Sequence, residues 1–151
     1  MDAVTQLRGA ITGRTIAPGD AEYDQMRTVF YGGIDSRPAL IVRAANTDDV
    51  VQSITLARES GLELAIRSGG HSVAGHSTVE GGIVLDLRDL KSLDIAADGT
   101  SVWAGSGLTA REFSEAVAPH GLALGFGDTG SVGIGGLTLG GGVGYFVRKY
   151  G

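Results

Sequence analysis

The sequence predicts an α+β fold: a small βαβ-containing subdomain, then the start of a second mixed-sheet subdomain with flanking helices. Three observations predict it. A buried strand, a capped helix and a second strand follow one another within residues 39–66. Further short apolar runs with turn signals between them continue to residue 105. A second helix then begins at a capping box formed by Thr109 and Glu112.

The first 35 residues are weakly patterned and are predicted to be a lead-in segment, with one short helix near residues 21–30. Residues 39–42 form the first predicted strand. Asn46 or Thr47 caps the helix that follows, and Asp48 and Asp49 lie in its first turn, where the helix dipole favours negative charge. Gly61 ends this helix, because glycine readily adopts the left-handed conformation found after a last turn.

An apolar stripe at Val50, Ile54 and Ala57 is expected to face the core, and the acidic residues of both helices are expected on the surface. Strands are predicted at 62–66, 83–87 and 101–105, with a shorter one around Leu93 and Ile95. The second helix continues to about residue 119. The inward positions expected on that helix are Phe113, Ala116 and Val117.

Composition excludes several classes of protein. The chain has 151 residues and no cysteine, so disulfides, thiolate catalysis and cysteine-ligated metals are excluded. The formal net charge of −5 argues against nucleic-acid binding. The N-terminus lacks a basic segment followed by an apolar one, so no secretion signal is predicted and a cytoplasmic location is expected. Residues 129–147 carry no charge but contain eight glycines, which favours a loop over a membrane span.

Glycine is the unusual feature, with 26 residues where ordinary usage gives about eleven. Two runs stand out: the first glycine segment (residues 67–72) and the second glycine segment (residues 129–144). Glycine lets successive backbone N–H groups turn towards an anion, so the two segments are predicted to hold a phosphate-bearing cofactor; the alternative is that they only form tight turns. The predicted cofactor-binding residues are Arg67, Ser68, Gly69, Gly70, His71, Ser72, Thr129, Gly130, Val132, Gly133, Gly135, Gly136, Gly140, Gly141, Gly142 and Gly144.

Two shorter patterns also fit a dinucleotide fingerprint. Residues 105–110 read G-x-G-x-x-A between a predicted strand and helix, and Asp128 follows at about the spacing of a ribose ligand. Residues 125–130 read G-x-G-x-x-G but precede no helical pattern. A nicotinamide-dependent Rossmann enzyme therefore stays open as one interpretation.

His71 follows Gly69-Gly70 directly and is a candidate general base, phosphate ligand or covalent tether. His76 lies five residues later, which is not a usual metal-ligand spacing, so no metal site is predicted. No serine has the context of an activated nucleophile, and no catalytic residue is assigned in the chain.

Several motifs occur in one order: R-S-G-G-H-S at 67–72, the strand at 83–87 followed by R-D-L, A-G at 104–105, V-G-I-G-G at 132–136 and G-G-G-V-G at 140–144. In this the sequence resembles the FAD-binding, PCMH-type domain of the vanillyl-alcohol-oxidase superfamily, closest to its berberine-bridge-enzyme-like FAD-linked oxidases. The resemblance covers about residues 36–151, which are predicted to be the FAD-binding domain.

The resemblance implies FAD attached covalently through His71, with the two glycine segments flanking its diphosphate. Many relatives add a second link from a cysteine at the position of Thr129, so this chain is limited to one link. The residue at Val132 is thought in that branch to gate oxygen access, and a valine there favours oxidase behaviour. Relatives continue beyond the R-K-Y-G motif at 148–151 into a substrate domain that carries the catalytic base. The chain therefore resembles the N-terminal portion of such an enzyme.

The predicted function is that of an FAD-dependent oxidoreductase that oxidises an alcohol-like or related small organic substrate by hydride transfer to flavin N5. Oxygen is the expected electron acceptor. The alternative is a noncatalytic or inactive fragment that binds FAD or another nucleotide.

Overall fold

The computed structural model describes residues 3–150, in which helices and strands mix as the α+β prediction requires. The strands are β1 Arg14–Ile16, β2 Leu40–Arg43, β3 Leu64–Arg67, β4 Ile83–Asp86, β5 Leu93–Ile95 and β6 Val102–Ala104. The helices are α1 Ala3–Ala10, α2 Tyr23–Met26, α3 Thr47–Ser60, α4 Ala110–Val117, α5 Ile134–Gly140 and α6 Val147–Tyr150, with a 3-10 turn at Ala118–His120.

The first sheet has the strand order β1-β2-β4-β3. Strands β2, β4 and β3 are parallel, and β1 is antiparallel to β2. The predicted β-α-β unit is therefore present as β2-α3-β3, but β4 lies between its two strands. The carboxyl ends of the three parallel strands meet at one edge, where Arg43 and Arg67 both pair in register with Asp86. The first glycine segment starts at this edge.

Strands β2 and β4 form the centre of the core because they are apolar on both faces. Leu40 and Val42 pack with Leu85 under α1 and α3. On the opposite face, Ile41 and Val84 belong to a second cluster that includes Tyr23 and Met26 of α2.

Helix α3 begins and ends where the sequence predicts. The side chain of Asn46 accepts a hydrogen bond from the Asp49 N–H at 2.9 Å, and Gly61 has a left-handed φ of 67°. The predicted stripe on this helix is wrong at Ile54, whose side chain is 38% exposed. Ala57 is buried as predicted and Val50 packs against the core, and the other buried positions of the helix are Asp49 and Ser53.

Asp49 also contradicts the expectation of a surface position, since only 2% of it is exposed. Its carboxylate accepts the N–H groups of Thr12, Gly13 and Ala45 at 2.8–2.9 Å. Burial by itself raises the pKa of this carboxyl, but the backbone N–H groups, that of Asn46 among them, bring the pKa below its ordinary value. The carboxylate thus ties the lead-in segment to the start of α3.

The lead-in segment contains more structure than the sequence predicts. Helix α1 and strand β1 were not expected, and α2 occupies only part of the range predicted for a helix. Strand β1 has three residues, which is too short for an alternating pattern to be visible.

The second region is built around the antiparallel pair β5–β6 and helix α4. The capping box is confirmed, because the Thr109 side chain accepts the Glu112 N–H while the Glu112 carboxylate accepts the Thr109 N–H. Phe113 and Val117 are buried as predicted. Ala116 is exposed, contrary to prediction, because the buried face of α4 is centred on positions 110, 113 and 117.

The second glycine segment is not the continuous loop that its composition favours, because α5 forms within it. Ile134, at the first turn of α5, is buried against Leu108, Phe113 and Val117, and its N–H donates to the Leu108 carbonyl at 2.9 Å. This tertiary packing offsets the low helix propensity of the glycines. Among residues 3–150, no helix is both long and apolar enough to cross a membrane.

Candidate cofactor site

The first glycine segment is anchored by a buried ion pair at the end of the parallel sheet. Arg67 is 1% exposed, and its Nε lies 3.1 Å from Oδ2 of Asp86, which is fully buried. The same guanidinium donates to the Met26 carbonyl at 2.9 Å. Burial lowers the pKa of Arg67, and the Asp86 carboxylate opposes that shift. The Arg67 side chain is therefore fully engaged by the protein itself.

Beyond Arg67 the segment leaves its backbone donors free. Within the described part of the chain, the N–H groups of Gly69, Gly70, His71 and Ser72 donate to no other residue. Gly70 has a left-handed φ of +72°. Within residues 3–150, only glycines have a positive φ. A turn that contains a left-handed residue can present successive N–H groups to an anion, and such turns are used to bind phosphate groups.

The second glycine segment is anchored by backbone hydrogen bonds to the start of α4. The Ala110 N–H donates to the Val132 carbonyl and the Arg111 N–H donates to the Gly130 carbonyl, both at 2.9 Å. Gly133 forms an isolated antiparallel bridge with Thr109. The capped N-terminus of α4 therefore holds the chain on both sides of Ser131.

The two segments touch each other through their glycines. A Cβ added to Gly69 would lie under 3.0 Å from backbone atoms of Gly133, and a Cβ on Gly133 would meet the backbone of Gly69 in the same way. Ser68 donates from Oγ at 2.6 Å to the carbonyl of Ser106, and Ser106 in turn packs against Gly135 of the second segment. Only glycine at both positions allows this approach.

Together the segments line a groove of about 650 Å³. Its walls include most of the predicted cofactor-binding residues. These are Ser68, Gly69, Gly70, His71, Ser72, Val132, Gly133, Gly136, Gly140 and Gly141. A Cβ on Gly136, Gly140 or Gly141 would meet nothing within 4 Å, so the α5 side of the groove is open.

The remaining predicted residues lie elsewhere. Thr129 and Gly130 line a separate hollow beside Arg111. A Cβ on Gly142 would meet the Leu137 side chain at 2.8 Å, and one on Gly144 would meet the Gly127 nitrogen at 3.0 Å, so both glycines permit close packing. Gly135 packs in the same way against Ser106.

His71 lies in the groove between two contacts that the sequence did not suggest. Its ring stacks on Phe30, with centroids 4.1 Å apart and planes 20° apart. Its Nε2 lies 3.1 Å from Oγ of Ser131. Phe30 carried no signal in the weakly patterned lead-in segment. Ser131 lay inside a recognised segment, but only the fold brings it to His71 across 60 residues of chain.

The dinucleotide fingerprint at residues 105–110 has a structural explanation. It does join a strand to a helix, but β6 pairs antiparallel with β5 and belongs to no parallel βαβ unit. A Cβ on Gly107 would lie under 3.0 Å from the Leu87 carbonyl, and one on Gly105 would clash similarly with Leu90. These glycines allow the turn to pack on residues 87–90 rather than leaving room for a ligand.

His76 also lines the groove but is exposed, and its N–H donates to Oγ of Ser72 at 3.2 Å. Within residues 3–150, no group of three or more His, Cys, Asp or Glu side chains is placed to hold a metal ion. Among the described residues, the polar groups that line the groove are therefore backbone donors, serine hydroxyls and the imidazoles of His71 and His76.

A groove with unpaired backbone N–H groups and an imidazole at the end of a mixed sheet has the features expected of a domain that binds a phosphate-bearing cofactor. The comparisons with known proteins identify the cofactor class. The FAD binding domain family matches residues 38–151. The chain belongs to this family, and its relatives confirm the predicted resemblance to the PCMH-type, berberine-bridge-enzyme-like FAD-linked oxidases.

Among curated relatives, (R)-6-hydroxynicotine oxidase of Paenarthrobacter nicotinovorans is 39% identical over 94% of this chain and 31% of its own length. Berberine bridge enzyme-like 18 of Arabidopsis thaliana is 36% identical over 76% of this chain and 22% of its own. The chain thus spans less than a third of these relatives.

Solved structures agree on the fold. The crystal structure of 6-hydroxy-D-nicotine oxidase from Arthrobacter nicotinovorans superposes with a TM-score of 0.90 at 40% identity, covering 93% of this chain and 31% of that one. Wild-type BBE-like 1 of Physcomitrella patens gives a TM-score of 0.91 at 26% identity, covering 98% of this chain and 33% of that one.

Proposed function

We propose that the groove between the two glycine segments binds FAD, with residues 36–151 as the cofactor-binding unit and residues 1–35 as a lead-in to it. The observation that carries this proposal is the row of unpaired N–H groups from Gly69 to Ser72. The diphosphate lies against this row, and the second glycine segment forms the opposite wall.

The charge of the chain supports backbone recognition of the diphosphate. The net charge is −5, the buried Arg67 is already paired with Asp86, and among the described residues no lysine or arginine lines the groove, so cationic side chains do not supply the attraction. Fixed N–H dipoles bind an anion without a net positive charge. Arg67 is therefore proposed to position the first glycine segment, and Ser68 is proposed to act with it through its hydrogen bond to Ser106.

We further propose that His71 carries the flavin through its 8α carbon. Both histidines line the groove, but the His71 ring is half-buried and contacts Phe30 and Ser131, whereas His76 is exposed. The bond replaces one C–H bond of the 8α methyl and one ring N–H bond with a C–N bond. Two protons are released, and two electrons pass through the flavin to oxygen. With no cysteine in the chain, this is the single attachment.

For the whole protein we propose an FAD-linked oxidase that removes a hydride from an alcohol-like or related small organic substrate. Bound FAD supplies the hydride acceptor, flavin N5. The named activities of the relatives support this class, and Val132 on the groove wall is proposed to admit oxygen as the electron acceptor. No residue of this chain is proposed as the catalytic base.

Reconstitution tests the proposal. The purified chain is incubated with FAD in air, passed through a desalting column and precipitated in acid. We expect yellow protein before acid treatment and flavin fluorescence in the pellet after it. His71→Ala should lose the fluorescence in the pellet, while the matched control His76→Ala should keep it. A colourless wild-type chain would refute FAD binding, and flavin lost to the acid supernatant from the wild type would refute the covalent link.

A further inference from the structure

A loop of the lead-in segment contacts the first glycine segment from outside the matched family domain. This support loop (residues 27–35) follows α2 and lies wholly before residue 38, where the match to the FAD binding domain family begins. At its tip, the Phe30 N–H donates to the Gly70 carbonyl at 3.1 Å. The Phe30 ring stacks on the imidazole of His71, with centroids 4.1 Å apart. One residue of the loop therefore contacts both the backbone and a side chain of the first glycine segment.

Contacts on either side of this tip extend the support. On one side, the Arg67 guanidinium donates to the Thr28 carbonyl at 3.4 Å. On the other side, a Cβ added to Gly75 would meet the Ile34 side chain at 3.6 Å, so the loop packs against the chain just after the glycine segment. The support loop thus follows the chain from the start of the first glycine segment to residue 75.

The two ends of the support loop are joined by one arginine. The side chain of Arg27 is 12% exposed, and its guanidinium pairs with the Asp35 carboxylate and donates to the Ser36 carbonyl at 3.4 Å. The same guanidinium is anchored to α2 by Asp24, at 2.9 Å. Joining the ends of a loop removes conformational freedom that the open loop would have. The tip is thereby held against the first glycine segment.

We infer that the support loop is a positioning element of the cofactor site: it holds the backbone of residues 69–72 in the shape that presents their N–H groups to the diphosphate. This inference rests on the proposed FAD site. Within the described chain, these N–H groups donate to no other residue and so do not fix the backbone themselves, while glycine permits many other conformations. A site that is populated only part of the time binds its ligand more weakly in proportion. The support loop therefore raises the affinity for the cofactor.

The first test uses the cofactor-free chain. The Phe30 amide is hydrogen-bonded only while the loop is closed on Gly70, so its hydrogen-exchange rate reports loop opening. We expect Arg27→Ala to speed this exchange about tenfold, the loss that one charge-assisted hydrogen bond predicts, and to shift the NMR amide signal of Gly70. The matched control is Arg14→Ala, which breaks the pair with Glu22 elsewhere in the lead-in segment. Unchanged exchange in Arg27→Ala, or equal changes in both variants, would overturn the inference.

The second test measures binding of ADP, which carries the diphosphate but no flavin to attach, by calorimetry. We expect Arg27→Ala to bind ADP about threefold more weakly than the wild type. This change is smaller than that in exchange, because affinity follows the fraction of closed loops. Asp35→Asn should weaken binding less, with rescue by Asp35→Glu, whereas Arg14→Ala should bind as the wild type does. A loop with a purely structural role would lower stability in urea without this selective loss of ADP affinity.

The outcomes separate the inference from the proposed function. If Arg27→Ala fails to fold, Asp35→Asn decides the test, because it changes an exposed side chain without changing its shape. Wild-type affinity for ADP in folded Arg27→Ala and in Asp35→Asn would overturn the inference while leaving the proposed function intact. A wild-type chain that binds neither ADP nor FAD would instead refute the proposed function and the inference with it.

Discussion

The two walls of the groove are held in place by different interactions. The first glycine segment grows from a sheet whose end is fixed by buried charge, the pair of Arg67 and Asp86. The second is held by backbone hydrogen bonds from α4 and by glycines that allow backbone to touch backbone. The two segments thus differ in how each is anchored, by a buried charge pair or by backbone hydrogen bonds, whereas the contact between them requires glycine on both sides.

The largest expected loss of stability comes from the charge pair that anchors the first glycine segment. Asp86→Ala leaves the buried Arg67 guanidinium without its carboxylate and removes the contacts between Asp86 and Arg88, which should together cost about 4 kcal/mol of unfolding free energy, measured by urea denaturation. Asp89→Ala is the matched control, because Asp89 pairs with Arg43 near the surface and its loss should cost about 1 kcal/mol or less. Equal losses for the two variants would contradict a special role for the buried pair.

In the second glycine segment, Gly133→Ala places a Cβ against the backbone of Gly69. This variant should lose about 3 kcal/mol of unfolding free energy and should no longer bind FAD. Gly136→Ala is the contrasting variant, since its Cβ meets nothing within 4 Å and it lies in α5. Its folded state should be unchanged or up to about 1 kcal/mol more stable. Thermal melts measure the stability of the two variants. A Gly133→Ala chain as stable as the wild type would contradict the conclusion that the contact with Gly69 requires glycine.

Charge also anchors the lead-in segment, through Asp49. Asp49→Asn should cost about 2 kcal/mol at neutral pH because three backbone donors lose a charged acceptor. Asp48→Asn, exposed in the same helical turn, should cost about 0.5 kcal/mol.

The stability that Asp49 supplies should depend on pH in one direction. The pKa of Asp49 is lower in the folded chain than its ordinary value of 3.8, so between these two values the unfolded chain binds more protons. This contribution is complete above about pH 4 and is lost as the pH falls through the folded pKa. The unfolding free energy, measured by denaturation at several pH values between 6 and 2, should fall less with decreasing pH in Asp49→Asn than in the wild type. The same slope in both chains would contradict the assignment.

The smallest expected effect is at the N-terminal cap of α4, the helix whose first N–H groups hold the second glycine segment. Thr109→Ala removes the side-chain acceptor for the Glu112 N–H and should cost about 1 kcal/mol. Thr55→Ala, on the exposed face of α3, should change stability by less than about 0.5 kcal/mol. Urea midpoints measured side by side decide this, and a larger loss for Thr55→Ala would contradict the capping account.

Features that depend on neighbouring residues were predictable, and features that depend on distant ones were not. The caps at Asn46 and Thr109 use partners three residues away, so the sequence places both helix starts. The burial of Asp49 depends on Thr12, 37 residues earlier, and no local pattern reveals it. The predicted stripe on α3 is correct at Ala57, which is buried, and at Val50, which packs against the core, and it is wrong only at Ile54.

The candidate site follows the same rule. Glycine content and the position of His71 pointed to both segments, because glycine clusters report backbone requirements directly. Their mutual contact at Gly69 and Gly133, and the support of His71 by Phe30, come from tertiary packing alone. Helix α5 formed against the composition because Ile134 is buried.

Amide hydrogen exchange with and without FAD tests most directly whether the two differently anchored segments form one binding site. We expect hydrogen exchange at the amides of residues 69–72 and 131–136 to slow together when FAD binds. In Gly133→Ala both segments should lose this protection. Protection confined to one segment, or appearing at residues 105–110 instead, would contradict the account.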